Sequence, residues 1–498
     1  MTSVRPWVRD LLTGISLANL CLIAVWDEVL AVTRNRYLLD VSSTDVVAIM
    51  LNVLIVGAAC AGAATLARRH HGPWPRRVVR AVFLAALLLP LWRLVRDFNP
   101  LYLERLLLSL NQPPRLRQAV RELAPVAPVL TFAAWPVRSA RIARKVLLFL
   151  FPFTLVTFGR GLGALTAGGL TARYADEPAA PALPTAHAGP RLVILLLDQL
   201  GQNPAFAQRA PGVELPALDR LRAEAVYATQ ALRAGSRTVN AVPAMLAGRG
   251  VDTAVHREAR ELMVKFAGEP APVPWSTAPN LFTWARARGL NVGLVGWYHP
   301  YCRLFGDIVS RCAWRPHAEA VSRDRAGVAP RMAAQLRGLS PWDARARHIQ
   351  DYGILLDLAR AAVTDATLDL VFVHLNVPHT PIVYDRRRGP GGGFTLWNGR
   401  RDGHADNIVL ADRTLGELRR SMEAAGLWER TAVIVLADHP AGGPRDVRLV
   451  PFLVRMPGGV GAVADRHFPT ARLALLAQDV LAGRVRTSAE VVRWIDAQ

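Results

Sequence analysis

Lysine is almost missing from this chain. Lys145 and Lys265 are its only two lysines, so the formal charge of +21 rests on arginine. Nucleic-acid motifs are missing as well. No zinc-finger or RNA-recognition pattern accompanies the basic excess, and much of the arginine flanks apolar stretches. Membrane topology therefore accounts for the charge better than nucleic-acid binding does, and no nucleic-acid partner is expected. Cysteine is scarce, and four residues establish no disulfide framework by count. There is no internal repeat. No small-residue cleavage site follows the first apolar run, and such runs recur, which speaks against a cleavable signal peptide.

What the sequence does contain begins with those runs. At 498 residues the chain exceeds one ordinary core, so at least two units are expected. Apolar stretches cover roughly residues 11–32, 46–66, 78–94, 123–137 and 146–165, several of them near the ~20 residues a helix needs to cross a bilayer. Asp27 and Glu28 near the end of the first favour an early exit. Pro125, Pro128 and Pro136 make the short fourth run compatible with a re-entrant or kinked segment. Three spans are well defined, and the full pattern reads as about five.

Arginine placement sets their direction. The connection 68–80 carries Arg68, Arg69, Arg76, Arg77 and Arg80 with no acid, and 138–145 carries Arg138, Arg141, Arg144 and Lys145 with none. The 34–45 loop balances Arg34 and Arg36 against Asp40 and Asp45. Five spans with the N-terminus inside put both unopposed basic loops in the cytoplasm and everything after about Thr166 outside. An even number would reverse this. Cys302 and Cys312 then either pair in an oxidising compartment or remain buried thiols, and the sequence leaves both open.

Residues 166–190, rich in Ala, Pro and Gly from position 171, read as a linker between an anchor over 1–165 and a domain over 191–498. In that domain strand patterns at 192–197, 292–295, 368–374, 432–436 and 450–455 alternate with helix patterns at 216–225, 242–247, 280–288, 349–364 and 406–424. The order predicts an α/β sandwich with a mainly parallel sheet, whose sites lie at the carboxyl ends of strands. Residues 386–402, rich in Gly and Arg, read as an irregular insert.

Asp198, His374 and the pair Asp438-His439 all fall at such ends. Asp198 alone is as well read as a helix cap, and Thr238 alone more often so. Together they offer carboxylate, imidazole and hydroxyl donors for one metal, and a bound cation lowers the pKa of a hydroxyl nucleophile. Thr238 precedes a helical run whose first N–H groups suit an anion. Asn240 offers a donor to a phosphate oxygen or stabilises its own turn. Arg237 and His256 lie within reach of an anion. Trp297-Tyr298-His299-Pro300-Tyr301-Cys302-Arg303, which combines aromatic, histidine and arginine groups, reads either as the wall of a head-group pocket or as a packed turn.

At these positions the chain resembles the alkaline-phosphatase superfamily, and within it the membrane-anchored phosphoethanolamine transferases, lipoteichoic-acid-synthase-like phosphoglycerol transferases and sulfatase-like relatives. The resemblance rests on Asp198, the stretch 216–224, and Thr238 with Pro243 and Gly248 following. It continues through His374-Leu-Asn-Val-Pro-His379-Thr-Pro, Asp406-Asn407 with Asp412-Arg413, and Asp438-His439. It implies Asp198, Thr238, Asp438 and His439 as ligands of one divalent metal, zinc or manganese. It also implies Thr238 as the nucleophile forming a phospho-threonine, and His379 as the group that contacts the transferred phosphate or protonates a leaving oxygen. His374 is a substrate contact or a strand-end hydrogen bond. The implied reaction moves a phospho-head group from a membrane phospholipid to an envelope glycan or lipid, at the outer face of a bacterial inner membrane.

Two departures narrow this. Sulfatases carry Cys or Ser in a Cys-x-Pro-x-Arg signature where this chain has Thr238. The named transferases follow Asp-His with Gly-Glu, and have glutamate for Asp198, whereas here Asp438-His439 is followed by Pro440-Ala441-Gly442-Gly443. Hydrolysis of phosphate or sulfate esters, and a non-catalytic glycan-binding domain, are the rival readings.

Overall fold

All seven residues of the strand Arg191–Leu197 are buried, and six of them are Leu, Val or Ile. A run apolar on both faces suits a central strand covered by helices on each side. It sits fifth in an eight-stranded sheet ordered Ala462–Ala464, Val226–Ala228, Phe452–Arg455, Thr431–Leu436, Arg191–Leu197, Leu370–Leu375, Val292–Tyr298 and Arg311–Pro316. Only Phe452–Arg455 runs against the others, so the sheet is mainly parallel, as the sequence predicts. The computed structural model describes residues 5–30, 37, 41–70, 72–98, 110, 112–113, 126–166, 180–184, 189–258, 261–316, 327–390, 401–441 and 448–498.

The chain divides into two compact units, one comprising Met1–Val32, Val41–Arg173 and Ala320–Ser340, the other Thr33–Asp40, Tyr174–Glu319 and Pro341–Gln498. The sheet belongs to the second. One face of it packs Val193, Leu195, Val371, Val373 and Val433 against Leu355, Ala359, Leu415 and Leu418 from the helices Pro341–Val363 and Arg401–Ala424. On the other side the helix Leu473–Leu481 lies against the central strand. All five strands anticipated from the sequence are in the sheet, and each anticipated helix exists with shifted ends. The small sheet Val251–Glu258, Glu261–Phe266 and Val273–Pro274 has no counterpart in that reading. Cys302 and Cys312 form a disulfide, which settles that alternative. Most of the expected linker, part of the 386–402 insert, and Gly442-Gly443 lie outside the described residues.

The first unit is helical. Among the described residues one helix, Ser43–Arg69, is long and apolar enough to cross a membrane. Two bent pairs, Pro6–Cys21 with Ile23–Leu30 at 62° and Pro136–Phe149 with Phe151–Thr166 at 44°, raise the count to three if each is one span. The expected run 123–137 is divided at Trp135, between the helices Ala127–Ala134 and Pro136–Phe149, so it is no single continuous helix.

Close packing and one buried ion pair hold this unit. A side chain at Gly57 would meet Ile15 Cα at 2.7 Å and its backbone nitrogen at 2.8 Å, so the helices Pro6–Cys21 and Ser43–Arg69 cross on glycine. Asp45 accepts from the Ser42 N–H at 2.8 Å, fixing the start of the long helix, and from Arg331 Nη1 at 2.5 Å. Asn52 donates to Gln335 Oε1 at 3.0 Å one helical stretch further on. Removing one member of a buried pair strands the other charge. Arg331→Met should therefore lower unfolding stability by about 3–5 kcal/mol, and Gly57→Leu by about 1–3 kcal/mol. Thermal and denaturant unfolding of the detergent-solubilised chain measures both, and stability equal to wild type would contradict the packing described.

Candidate metal centre

Strand register creates the site. Arg191–Leu197 pairs with Thr431–Leu436 through Leu196↔Leu436 and with Leu370–Leu375 through Leu196↔His374. Asp198 and Asp438 therefore leave the sheet side by side at its carboxyl edge, with His374 beside them, and all three are fully buried. Gln199 follows with φ +68°, a left-handed conformation costly for a residue with a Cβ. That turn aims the Gln199 N–H at Asp438 Oδ1, 3.2 Å away, where the His439 N–H also donates at 2.8 Å.

Thr238 opens the helix Thr238–Ala247, which Gly248 closes in a left-handed cap. The preceding turn folds tightly onto this helix: a Cβ at Gly235 would lie 2.8 Å from Ala241 N. The Thr238 hydroxyl donates to Asp438 Oδ2 at 2.8 Å and stands 3.4 Å from His439 Nε2. His439 Nδ1 lies 3.0 Å from Pro440 O. Assigned from that carbonyl, the proton is on Nδ1, and Nε2 turns a lone pair toward the threonine.

Donor atoms of Asp198, Asp438 and His439 all fall within 4.8 Å of one another. Both Asp198 oxygens are buried without a hydrogen-bond partner, and His374 Nε2 at 3.4 Å is long for one. Burial alone would raise the Asp198 carboxyl, but His379, His374 and His439 outweigh it and bring it down to about 2. Burial and the neighbouring Asp198 charge push Asp438 up instead. Burial would lower His439, yet the two carboxylates prevail and raise it. Two buried carboxylates facing one imidazole form a pocket of negative charge that a divalent cation satisfies.

The other anticipated residues take distinct places. His374 Nδ1 lies 2.9 Å from the Tyr301 hydroxyl, which holds the ring with Nε2 toward Asp198. His379 is half-buried, with Trp297 against its ring at 4.9 Å between centroids. Asn240 sits in the first turn of the nucleophile helix with its buried Oδ1 unpartnered, and Arg237 is exposed at the helix start. His299 is a correction. It is fully buried with Nε2 3.3 Å from Thr238 O and Nδ1 2.8 Å from the Tyr37 hydroxyl, so it braces the nucleophile's backbone and presents no face to a head group. Burial holds its pKa well below the ordinary imidazole value.

Three participants were not singled out in the sequence. Tyr301 orients His374, and Tyr37 backs His299. His404 lies against Gln199 and His379, its pKa lowered by burial. Tyr301 fell inside an aromatic segment read as ambiguous. Tyr37 and His404 carry no local pattern that sets them apart.

A family model described as type I phosphodiesterase/nucleotide pyrophosphatase matches residues 192–451. The chain belongs to this family. The resemblance read from the sequence therefore stands at the level of the superfamily. The Asp198, Asp438 and His439 cluster offers a phosphodiesterase of this family a possible divalent-metal site. Solved structures with some likeness include the phosphonate monoester hydrolase of Agrobacterium radiobacter at 16% identity, covering 59% of this chain and 74% of that one, with a TM-score of 0.40. The phosphonate monoester hydrolase from Silicibacter pomeroyi gives 16%, 59%, 73% and 0.40. A protein in the alkaline phosphatase superfamily from Vibrio parahaemolyticus gives 16%, 61%, 69% and 0.37. No curated protein matches the chain in sequence.

A site of this composition should retain about one divalent metal ion per chain. Asp198→Asn and His439→Gln should each lose most of it after exhaustive dialysis, as read by elemental analysis. Equal metal content in wild type and both variants would remove the cluster as the binding site.

Proposed function

We propose that the chain is a membrane-attached, metal-dependent phosphotransferase that moves a phospho-head group from a phospholipid to an envelope glycan or lipid through a phospho-threonine. The observation that carries this reading is the Thr238 hydroxyl held 2.8 Å from Asp438 inside the Asp198, Asp438 and His439 cluster. Asp198, Asp438, His439 and Thr238 would hold the cation, zinc or manganese. When bound, it lowers the hydroxyl pKa and offsets charge on a phosphate oxygen.

The chain's own groups supply the rest. Asp438 takes the Thr238 proton as Oγ1 attacks phosphorus. The bond from phosphorus to the diacylglycerol oxygen breaks, and His379 gives that oxygen a proton. The Thr238 and Val239 backbone N–H groups at the helix start face the anionic phosphoryl group, with Asn240 and Arg237 beside them. An acceptor hydroxyl then attacks phosphorus on the far side of Thr238, loses its proton to His379, and the threonine oxygen recovers its own from Asp438.

Several features support a lipid donor over a soluble one. Ser43–Arg69 is apolar enough to span a bilayer, and holding the site at that surface raises the effective concentration of lipid. The Cys302–Cys312 disulfide suits an oxidising compartment, in keeping with a catalytic domain outside the inner membrane. A second reading, hydrolysis of a phosphodiester with water as acceptor, is favoured by the match to phosphodiesterases.

The products decide between them. With phosphatidylethanolamine or phosphatidylglycerol, a transferase releases diacylglycerol and modifies the acceptor, and the hydrolase leaves the head group free in water. Intact-mass analysis after quenching should show one head-group phosphate on Thr238. Thr238→Ala should cut turnover by about 10³-fold or more. Unchanged turnover in that variant ends both readings.

The disulfide gives an independent check of compartment. Cys302 and Cys312 should resist alkylation until reduced in protein taken from its native membrane. Cys302→Ser should cost about 2–3 kcal/mol of stability, and alkylation of both without reductant would contradict the extracytoplasmic placement.

A further inference from the structure

Away from the catalytic residues, the helical unit carries a cation cluster that the proposed reaction does not use. Arg141, Arg144 and Lys145 lie three and four residues apart on Pro136–Phe149, so they share a face. Arg76 and Arg80 do the same on Pro73–Phe98. With Arg9 and Arg68 they line one cavity of about 440 Å³, in which Asp10 is the one acidic lining residue among the described residues. Asp10 pairs with Arg68, which leaves six cations facing the space. Arg76 donates to the Ala67 and Arg68 carbonyls at 3.3 and 3.2 Å, and Arg144 stands 5.9 Å from the Phe83 ring centroid. These contacts fix the guanidinium groups without neutralising them.

A second cavity of about 530 Å³ adjoins the first, sharing Asp10, Thr13, Ala64, Val79, Phe83 and Arg144. The rest of its wall is apolar apart from Cys60, and includes Leu17, Ala59 and Ala86. Ile55, Val78 and Val82 on that wall are exposed, so the space opens on the side of the helical unit. A cationic chamber joined to an apolar one matches a single kind of molecule, with a phosphate at one end and a hydrocarbon chain at the other. A free phosphate would leave the apolar part empty, and a neutral lipid would leave six cations crowded together.

We propose that these joined cavities bind an anionic phospholipid, its phosphate among Arg9, Arg80, Arg141 and Lys145 and one acyl chain along Ile55, Val78 and Val82. None of the lining residues belongs to the Asp198, Asp438 and His439 cluster, so the lipid here is a bound partner and not the donor.

The test uses the full-length chain in a neutral maltoside, with retained lipid counted by native mass spectrometry and stability followed by thermal shift. Dioleoyl phosphatidylglycerol should bind about 100-fold more tightly than dioleoyl phosphatidylcholine. Arg141→Gln with Lys145→Gln should abolish that preference, and Arg160→Gln, outside the cavity, should keep it. Because loss of two charges can disturb packing, Ala59→Leu serves as a second variant. It fills the apolar part, keeps every charge, and should weaken retention of the lipid. In a Thr238→Ala background, which cannot turn the lipid over, the cavity variants should lose the same preference, which separates failure here from failure of the catalytic reading. Equal binding of phosphatidylcholine, undiminished binding by both cavity variants, or equal stabilisation by inorganic phosphate would overturn the proposal.

Discussion

Everything at the candidate metal centre depends on two carboxylates being forced together by parallel strand pairing. Asp198 and Asp438 are 240 residues apart in sequence, yet the in-register ladder between their strands leaves them adjacent where it ends. Neither can move away, since each is continuous with a fully buried apolar strand. Mutual repulsion in a buried place is costly unless a positive group stands between or beside them. The rise of the Asp438 pKa, from burial first and then from the Asp198 charge, expresses that cost. Around it the site is arranged: His439 and His374 approach as partial compensation, and the Thr238 hydroxyl points its proton at Asp438.

The same constraint explains why Gln199 tolerates a left-handed backbone. Its N–H must reach back to Asp438 just after the chain has delivered Asp198, and a relaxed extended residue would carry it past. Gly235 plays a comparable part on the other side, where close approach of the turn to Ala241 sets the start of the helix bearing Thr238. Local strain and a missing side chain thus fix the nucleophile relative to the carboxylates. The sheet supplies rigidity, and the turns supply aim.

How much of this was readable beforehand follows from where the signal lay. Asp198, Asp438 and His439 were legible because each is a polar residue at the point where an unbroken apolar strand stops. Thr238 was legible because a helix follows it. The central strands, apolar on both faces, announced themselves as runs. The strands Val226–Ala228 and Ala462–Ala464, at one side of the sheet, are three residues long and carry too little pattern to recognise. His299 misled because an aromatic, histidine-rich loop looks the same whether it faces a ligand or the underside of a helix. The helical unit was harder, since apolar runs give segment positions but not bends. The 62° angle arises at Leu22 with no proline or glycine beside it, whereas the 44° angle arises at Leu150, two residues before Pro152.

Tyr37 makes the catalytic unit discontinuous. Its ring is fully buried against His256 and His299, with 4.9 and 5.8 Å between ring centroids, although it precedes the first sheet strand by more than 150 residues. A fragment beginning at Arg191 would keep every proposed metal ligand and still lose the hydroxyl that holds His299 beneath Thr238. The cut would open a void under the nucleophile helix. What reads in the sequence as a separable enzyme is, in its packing, completed by one side chain drawn from a stretch between apolar runs.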